Sequence, residues 1–223
     1  MNNAAIVTVR NSSTRLPNKA IMNVTKELKA IDIVLKRAKK NNVQIFRGSL
    51  LNKIKRWFEC FNKFGIDSAL LVDGDDLSYN YDIGKRAILE LNTQRVDLIT
   101  HPKDIVTGFF TYAISKKGID KLYSIAKSEE INTDVITKFI EKTNLTSSLI
   151  QLENFEKNEN VRFTLDYEED LEFFRRLYKG IGVESNGKEI LEYLEFNKDL
   201  IQINFHRQKE FLENQAKFNA TIK

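Results

Sequence analysis

Ile6–Lys19 has the sequence IVTVRNSSTRLPNK, in which a short apolar run leads into a polar, basic segment. Its first residues are β-branched, which is typical of a buried strand. The polar segment that follows carries three cations, Arg10, Arg15 and Lys19. Backbone N–H groups in a loop after a strand can point at an anion, and fixed positive charges complete the cradle. The stretch therefore predicts either a strand that opens into a phosphate-binding loop or an exposed basic turn.

Strand-like and helix-like segments alternate along the first third of the chain. Their residue ranges are, in order, Ala4–Val9 (strand, expected to be buried on both faces), Met22–Lys40 (helix), Val43–Phe46 (strand), Leu50–Phe64 (helix) and Ser68–Val72 (strand). This order is typical of a mostly parallel sheet with helices on both faces. Ligands in such sheets bind at the carboxyl ends of the strands.

Composition narrows the class of protein. The chain has 223 residues and a formal net charge of +4, with acidic and basic residues interspersed, so we expect no nucleic-acid partner. The single cysteine, Cys60, excludes an internal disulfide and favours a reducing compartment. We find neither a signal-like segment at the start nor an apolar run of the ~20 residues that a membrane span needs. These observations predict a cytoplasmic protein without a membrane partner.

Two acidic segments follow predicted strands. Asp73-Gly74-Asp75-Asp76 comes directly after Ser68–Val72 and suits either a hard cation or a polar turn. Asp166 follows a second predicted strand, Val161–Thr164, and opens an acidic helical turn. An ordinary helix N-cap, with acidic residues that complement the helix dipole, is enough to explain this second segment from the residues alone.

The basic loop resembles that of the cytidylyltransferases that make CMP-activated sugars, above all the spore-coat polysaccharide type. The loop of that family runs approximately Arg-x-x-Ser-x-Arg-Leu-Pro-Gly-Lys, and this chain matches it at Arg10, Ser13, Arg15, Leu16, Pro17 and Lys19. Asn18 stands where the family usually has glycine. Asparagine tolerates a positive φ better than other non-glycine residues, so we expect the same turn.

Three further segments carry the resemblance. Phe46–Ser49 and Val72–Asp75 are similar to the family's Phe-Arg-Gly-Ser and to its strand that ends in Gly-Asp. Arg162–Leu171 is similar to Arg-x-Thr-Val-Asp-x-Pro-Glu-Asp-Leu, with Glu168 in place of the proline. The resemblance implies a Rossmann-like three-layer α/β/α nucleotidyltransferase fold, and Asp75 and Asp166 as the ligands of Mg²⁺. The two aspartates are distant in sequence, so only the fold can bring them together.

The activity implied by the resemblance is transfer of CMP from CTP to a sugar or sugar acid, with release of pyrophosphate, in surface polysaccharide biosynthesis. The implied catalytic residues are Arg15, Lys19, Asp75 and Asp166, and the implied nucleotide-binding residues are Arg10, Asn11, Ser12, Ser13, Arg15 and Lys19. The alternatives are a homologue that binds nucleotide or sugar without catalysis and a transferase that uses another nucleoside triphosphate.

The chain departs from this family between Lys40 and Val43. The family has a further strand and helix there, beside the nucleotide, whereas only Asn41 and Asn42 intervene in this chain. If this is a true deletion, we expect either a gap beside the first strand or a shift of Val43–Phe46 into its place. Residues 1–204 are predicted to form the nucleotidyltransferase domain. Residues 205–223 are predicted to form a helical tail that packs on the domain or on a second subunit, and its aromatic residues are compatible with a homodimer.

Overall fold

The computed structural model describes residues 1–9, 15–37 and 43–221. Within them the strands are β1 Asn3–Thr8, β2 Ser68–Asp73, β3 Leu98–Thr100, β4 Tyr112–Ser115 and β5 Ser147–Leu149. The α-helices are α1 Ala30–Arg37, α2 Lys53–Phe64, α3 Tyr81–Gln94, α4 Lys116–Ile125, α5 Thr137–Lys142, α6 Glu168–Ile181, α7 Gly187–Phe196, α8 Lys198–Asn204 and α9 Gln208–Thr221.

The strands form a single sheet in the order β1-β2-β4-β3-β5. β1 pairs with β2 in parallel, as β3 does with β5, whereas β4 runs antiparallel to both of its neighbours. The carboxyl ends of β1, β2, β3 and β5 therefore meet at one edge of the sheet. The segments that follow β2 and precede α6 lie at this edge.

Helices cover both faces of the sheet. Buried side chains alternate along the strands: Leu71 of β2 packs with α2, α4 and α5 on one face, and Val72 packs with α1, α3, α6 and α7 on the other. Cys60 of α2 is buried in the first of these clusters, among aromatic side chains. The structure thus confirms the predicted three-layer α/β/α architecture with a mostly parallel sheet.

The first strand differs from its prediction. β1 was expected to be buried on both faces, but Asn3, Ala5 and Val9 are exposed. Within the described residues no strand pairs with its outer edge, because Val43–Phe46 has no regular secondary structure and lies outside the sheet, whereas a strand was predicted there. The expected gap beside β1 is therefore present in the part of the chain that the structure describes. Residues 38–42, where the family's additional segment would begin, lie outside that part.

Two predicted helices begin later than expected. Residues 22–29 are not helical: Asn23 and Lys29 form an antiparallel bridge, and Thr25 Oγ1 accepts the N–H of Leu28 at 3.0 Å. The helix predicted for Met22–Lys40 therefore begins at Ala30. α2 begins at Lys53 because the Asn52 side chain accepts the N–H of Lys55 at 2.8 Å, which makes Asn52 its N-cap.

The later part of the chain also differs in places. The strand predicted for Val161–Thr164 is only an isolated bridge between Arg162 and Thr107, although Val161 and Phe163 are buried in the core. The predicted helical tail comprises a short 3₁₀ turn, Phe205–Arg207, followed by α9. Throughout the described ranges, the helices are too short or too polar to cross a bilayer.

Candidate active site

The turn after β2 brings the first acidic segment against the end of β1. The N–H of Gly74 donates to the carbonyl of Thr8 at 2.9 Å. A Cβ atom at Gly74 would lie 2.8 Å from Val9 Cγ2 and 3.0 Å from Thr8 O, so glycine is required by this close approach. The turn thereby fixes Asp75 beyond the carboxyl ends of the first two strands.

The second acidic segment lies directly beside the first. The N–H of Leu165 donates to the carbonyl of Asp75 at 2.9 Å, and Asp166 is the next residue. Its carboxylate is almost completely buried, with 3% of the side chain exposed. Tyr167 takes the N-cap position of α6, so the alternative in which Asp166 caps that helix is wrong. The fold therefore brings the two predicted aspartates to the same place.

Lys19 joins the two aspartates. Its ammonium donates to Asp75 Oδ2 and, at 2.9 Å, to Asp166 Oδ1, and 11% of the lysine side chain is exposed. Asn18, directly before it, has φ 59°, which confirms the left-handed conformation predicted for this position. That turn leads into the 3₁₀ turn Lys19–Ile21, from which the lysine extends to both carboxylates.

Arg15 provides the second cation. Its Nη2 donates to Asp166 Oδ1 at 2.6 Å, and its guanidinium lies 5.6 Å from the centre of the Tyr167 ring. Burial alone would raise the pKa of Asp166, but Lys19, Arg15 and Arg162 outweigh it and hold the pKa below its usual value. Burial alone would lower the pKa of Lys19, and Asp75 and Asp166 reverse that and raise it. At neutral pH these groups are ions held by one another.

A second ion pair lies next to this cluster. Lys53 Nζ donates to Asp73 Oδ1 at 2.5 Å and lies 5.0 Å from the centre of the Trp57 ring. Asp76 is buried as well, and burial, followed by repulsion from Asp75 and Asp73, raises its pKa well above the usual value. Part of this rise comes from the neighbouring carboxylates, which shows how closely the aspartates lie together at this edge of the sheet.

A buried arginine holds Asp166 from behind. Arg162 is fully buried, and its Nη2 donates to Asp166 Oδ2 at 2.9 Å. Its Nε and Nη2 also donate to the two oxygens of Asp170, at 3.0 and 3.1 Å. Asp170 in turn accepts the N–H groups of Asp166 and Tyr167 at 2.8 and 2.9 Å. The two oxygens of Asp166 therefore face different partners, Lys19 and Arg15 on one side and Arg162 on the other.

The sequence interpretation located part of this cluster and missed part. Arg15, Lys19, Asp75 and Asp166 lie together, whereas Arg10, Asn11, Ser12 and Ser13 lie outside the described residues. Lys53 was not predicted to be a residue of this site. Its position on α2, four residues before Trp57 on the face predicted to be buried, is the feature that could have indicated it. Arg162 was recognised only as part of a motif and was given no role.

The donor set is compatible with a magnesium ion. Carboxylate oxygens are the protein ligands that Mg²⁺ prefers, and it commonly takes only one or two of them, with water and phosphate completing the octahedron. Asp75 and Asp166 are close enough to share the ammonium of Lys19. Across the described ranges, no group of three or more His, Cys, Asp and Glu side chains is arranged as a complete metal cage. Asp75 and Asp166 are the residues of the cluster that could hold such an ion.

Comparison with solved structures finds the same fold in several proteins. A cytidylyltransferase from Leptospira borgpetersenii superposes with a TM-score of 0.75 at 21% sequence identity, over 90% of this chain and 96% of that one. A CMP:2-keto-3-deoxy-manno-octonic acid synthetase complexed with CTP gives 0.55 at 13% identity, over 81% of this chain and 100% of the other. Molybdopterin-guanine dinucleotide biosynthesis protein A from Archaeoglobus fulgidus gives 0.58 at 15% identity, with coverages of 81% and 100%.

Neither a scan against protein-family models nor a search of curated proteins finds a match to this chain. The structural likeness therefore rests on the course of the backbone over most of both chains. On that basis the likeness to cytidylyltransferases expected from the loop, Gly-Asp and Arg-x-Thr motifs holds at the level of the fold, and the chain shares the three-layer α/β/α fold of these solved structures.

Proposed function

We propose that this protein is a CTP-dependent nucleotidyltransferase that transfers CMP to a sugar or sugar-acid acceptor and releases pyrophosphate. The observation that carries the proposal is the ammonium of Lys19 shared between Asp75 and Asp166 at the carboxyl edge of the sheet. One solved structure with this fold is a CMP-sugar-acid synthetase complexed with CTP. The motif resemblance suggests surface polysaccharide biosynthesis as the setting.

The proposed roles follow from charge and position. Arg15 and Lys19 hold the β- and γ-phosphates of CTP, the arginine as a planar fork and the lysine as a compact charge. The loop from Arg10 to Ser13 supplies further contacts to the phosphates. Asp75 and Asp166 would hold Mg²⁺, which would supply positive charge to stabilise the reacting phosphate.

The reaction is a substitution at the α-phosphorus. A hydroxyl oxygen of the acceptor forms the new bond to the α-phosphorus, the bond from that phosphorus to the bridging oxygen breaks, and the hydroxyl proton leaves to water. Catalysis of this kind depends mainly on positioning and on stabilisation of charge. In this proposal the cations of the cluster stabilise charge. The fold provides the positioning, because it fixes the three separate segments that carry the cations and carboxylates.

A pyrophosphate assay tests the proposal. The protein is incubated with CTP, Mg²⁺ and a panel of keto-sugar acids and sugar phosphates, and pyrophosphate is followed with a coupled enzyme. We expect release with at least one acceptor and loss of release with EDTA. CTP binding without pyrophosphate from any member of the panel contradicts the proposed transfer.

A second candidate function is nucleotide binding without transfer. It is favoured by the outer edge of β1, with which no strand among the described residues pairs, and by the absence from this sequence of the segment that lies beside the nucleotide in the resembling family. Thermal-shift measurements with CTP, UTP, GTP and ATP separate the candidates further, since a ligand that binds only the folded state raises its stability. A shift with CTP and no pyrophosphate supports the binding protein. A larger shift with another triphosphate supports a transferase of different base preference.

A further inference from the structure

The C-terminal helix contacts the buried arginine behind Asp166. Gln208, the first residue of α9, accepts a hydrogen bond from Arg162 Nη1 at 3.3 Å and donates from Nε2 to Thr107 Oγ1 at 3.1 Å. One turn later, the ring of Phe211 lies 4.5 Å from the Arg162 guanidinium. The amide fixes one edge of the guanidinium and the aromatic ring covers its face, which are two ways of fixing the plane of an arginine.

The residue that ends α8 completes this arrangement. Asn204 Nδ2 donates to Asp170 Oδ1 at 2.9 Å and to the carbonyl of Arg162 at 3.1 Å, and Asn204 is buried. The side-chain oxygens of Asp170 thus accept hydrogen bonds from Arg162, from Asn204 and from the backbone N–H of Asp166. A continuous series of hydrogen bonds therefore runs from the start of α9 to the carboxylate that faces Lys19.

α9 itself packs lightly. Leu212, on the side away from Arg162, is 53% exposed, and the described side chains at 209, 210, 213, 216 and 217 are exposed too. Asn214 donates to the Tyr167 hydroxyl at 3.4 Å, so a second turn of the helix also reaches the segment that follows Asp166. A helix that buries little apolar surface gains little stability from the hydrophobic effect. Its specific contacts are concentrated on the residues that orient Asp166.

We propose that Gln208 and Phe211 are positioning residues for the metal carboxylate Asp166, acting through Arg162. The inference rests on the proposed function in its assignment of Asp166 to Mg²⁺. Whether or not Asp166 binds Mg²⁺, the C-terminal helix fixes the orientation of its backbone and side chain. Residues that hold a metal ligand from outside typically contribute 10–100-fold to metal affinity or activity.

Three single substitutions on one helix test the proposal. Gln208→Leu removes both hydrogen bonds at similar volume, Phe211→Ala removes the ring, and Leu212→Ala is the matched control on the exposed side. The first readout is the Mg²⁺ concentration that gives half-maximal pyrophosphate release. We expect it to rise about 10-fold in the first two variants, with the KM for CTP at saturating Mg²⁺ unchanged, and to stay at the wild-type value in Leu212→Ala.

The second readout needs neither metal nor turnover. Hydrogen exchange of the amides of residues 166 and 167, measured on the free full-length chain, should be faster in Gln208→Leu and Phe211→Ala than in wild type and Leu212→Ala. Unchanged exchange overturns the proposal, as does faster exchange with an unchanged Mg²⁺ requirement, which indicates a merely structural helix. If wild-type protein releases no pyrophosphate from any acceptor, the proposed function fails, and the exchange comparison alone decides whether α9 positions Asp166.

Discussion

The two ends of the sheet each hold a buried aspartate bound by a lysine. At the amino ends of β3 and β5, Asp97 accepts Lys121 Nζ at 2.6 Å and the N–H of Thr146 at 3.0 Å. Burial alone would raise the pKa of Asp97, but these hydrogen bonds hold it below its usual value. At the carboxyl ends, Asp166 is bound by Lys19 and its pKa is likewise lowered. Burial and pKa therefore do not distinguish the two.

The partners of the two aspartates do distinguish them. Asp97 accepts a backbone N–H from Thr146 and thereby links the start of β3 to the start of β5. Asp166 is joined to another carboxylate by a cation that both share, and two of its three cations, Arg15 and Lys19, come from a distant part of the chain. The lesson is that convergence of separate segments at the carboxyl edge, rather than a perturbed carboxyl group, marks the candidate site.

The largest effect should follow from removing a carboxylate at the carboxyl edge. We expect Asp75→Asn to lower turnover with CTP and Mg²⁺ by about 10²–10³-fold, because the charge that holds the cation is lost while the shape is kept. Asp97→Asn is the matched control at the other edge and should keep near wild-type turnover at 25 °C. Unchanged turnover of Asp75→Asn at saturating Mg²⁺ makes the metal assignment wrong.

The lysines can be compared in the same way. Lys19→Met should raise the KM for CTP by about 10–100-fold, since a hydrogen bond to a charged group contributes about 1.5–3 kcal/mol. Lys121→Met removes the equivalent lysine from Asp97 and should leave the KM for CTP unchanged. Steady-state kinetics on both variants makes the comparison, and an equal effect of the two substitutions on KM removes the distinction between the two ends.

The free energy of unfolding should be lowered more by Asp97→Asn than by Asp75→Asn, which is the reverse of their order for turnover. We expect Asp97→Asn to lower the free energy of unfolding at pH 7 by about 1–3 kcal/mol, because a buried, hydrogen-bonded charge loses its match with Lys121. Asp75→Asn should lower it less, since 24% of that side chain is exposed. Urea denaturation followed by circular dichroism gives both values. A larger loss for Asp75→Asn than for Asp97→Asn runs against the structural role given to Asp97.

The smallest effect concerns acid pH. A folded-state pKa below the unfolded value of about 3.9 means that Asp97 contributes its full stability above that value and loses it as pH falls through the folded pKa. The difference in unfolding free energy between wild type and Asp97→Asn should therefore shrink below about pH 4. Urea midpoints at pH 7, 4 and 3 measure it. A difference that stays constant over this range shows that the ion pair is not its source.

The sequence predicted those features that depend on local chemistry. Asn18 was expected to adopt a positive φ because the turn needs one, and it does. The layers follow from apolar spacing along strands and helices, which is a local pattern as well. Asp75 and Asp166 were identified from motifs, and the hydrogen bond between Leu165 and Asp75 explains why the fold brings them together.

The features it missed depend on contacts between distant segments. Val43–Phe46 has the composition of a strand but finds no partner in the described sheet, and pairing cannot be inferred from propensity alone. β1 was expected to be covered on both sides, because an apolar run does not show whether a strand is central or at an edge. The link from Gln208 to Arg162 joins residues that only the tertiary structure places side by side.

Calorimetric titration of CTP into wild-type and Asp75→Asn protein, with Mg²⁺ and with EDTA, tests the central claim most directly. If the cation is held between the two aspartates and the phosphates, wild type should bind CTP at least about 10-fold more tightly with Mg²⁺ than with EDTA, and the variant should show no such difference. The same dependence on Mg²⁺ in both proteins would contradict the account.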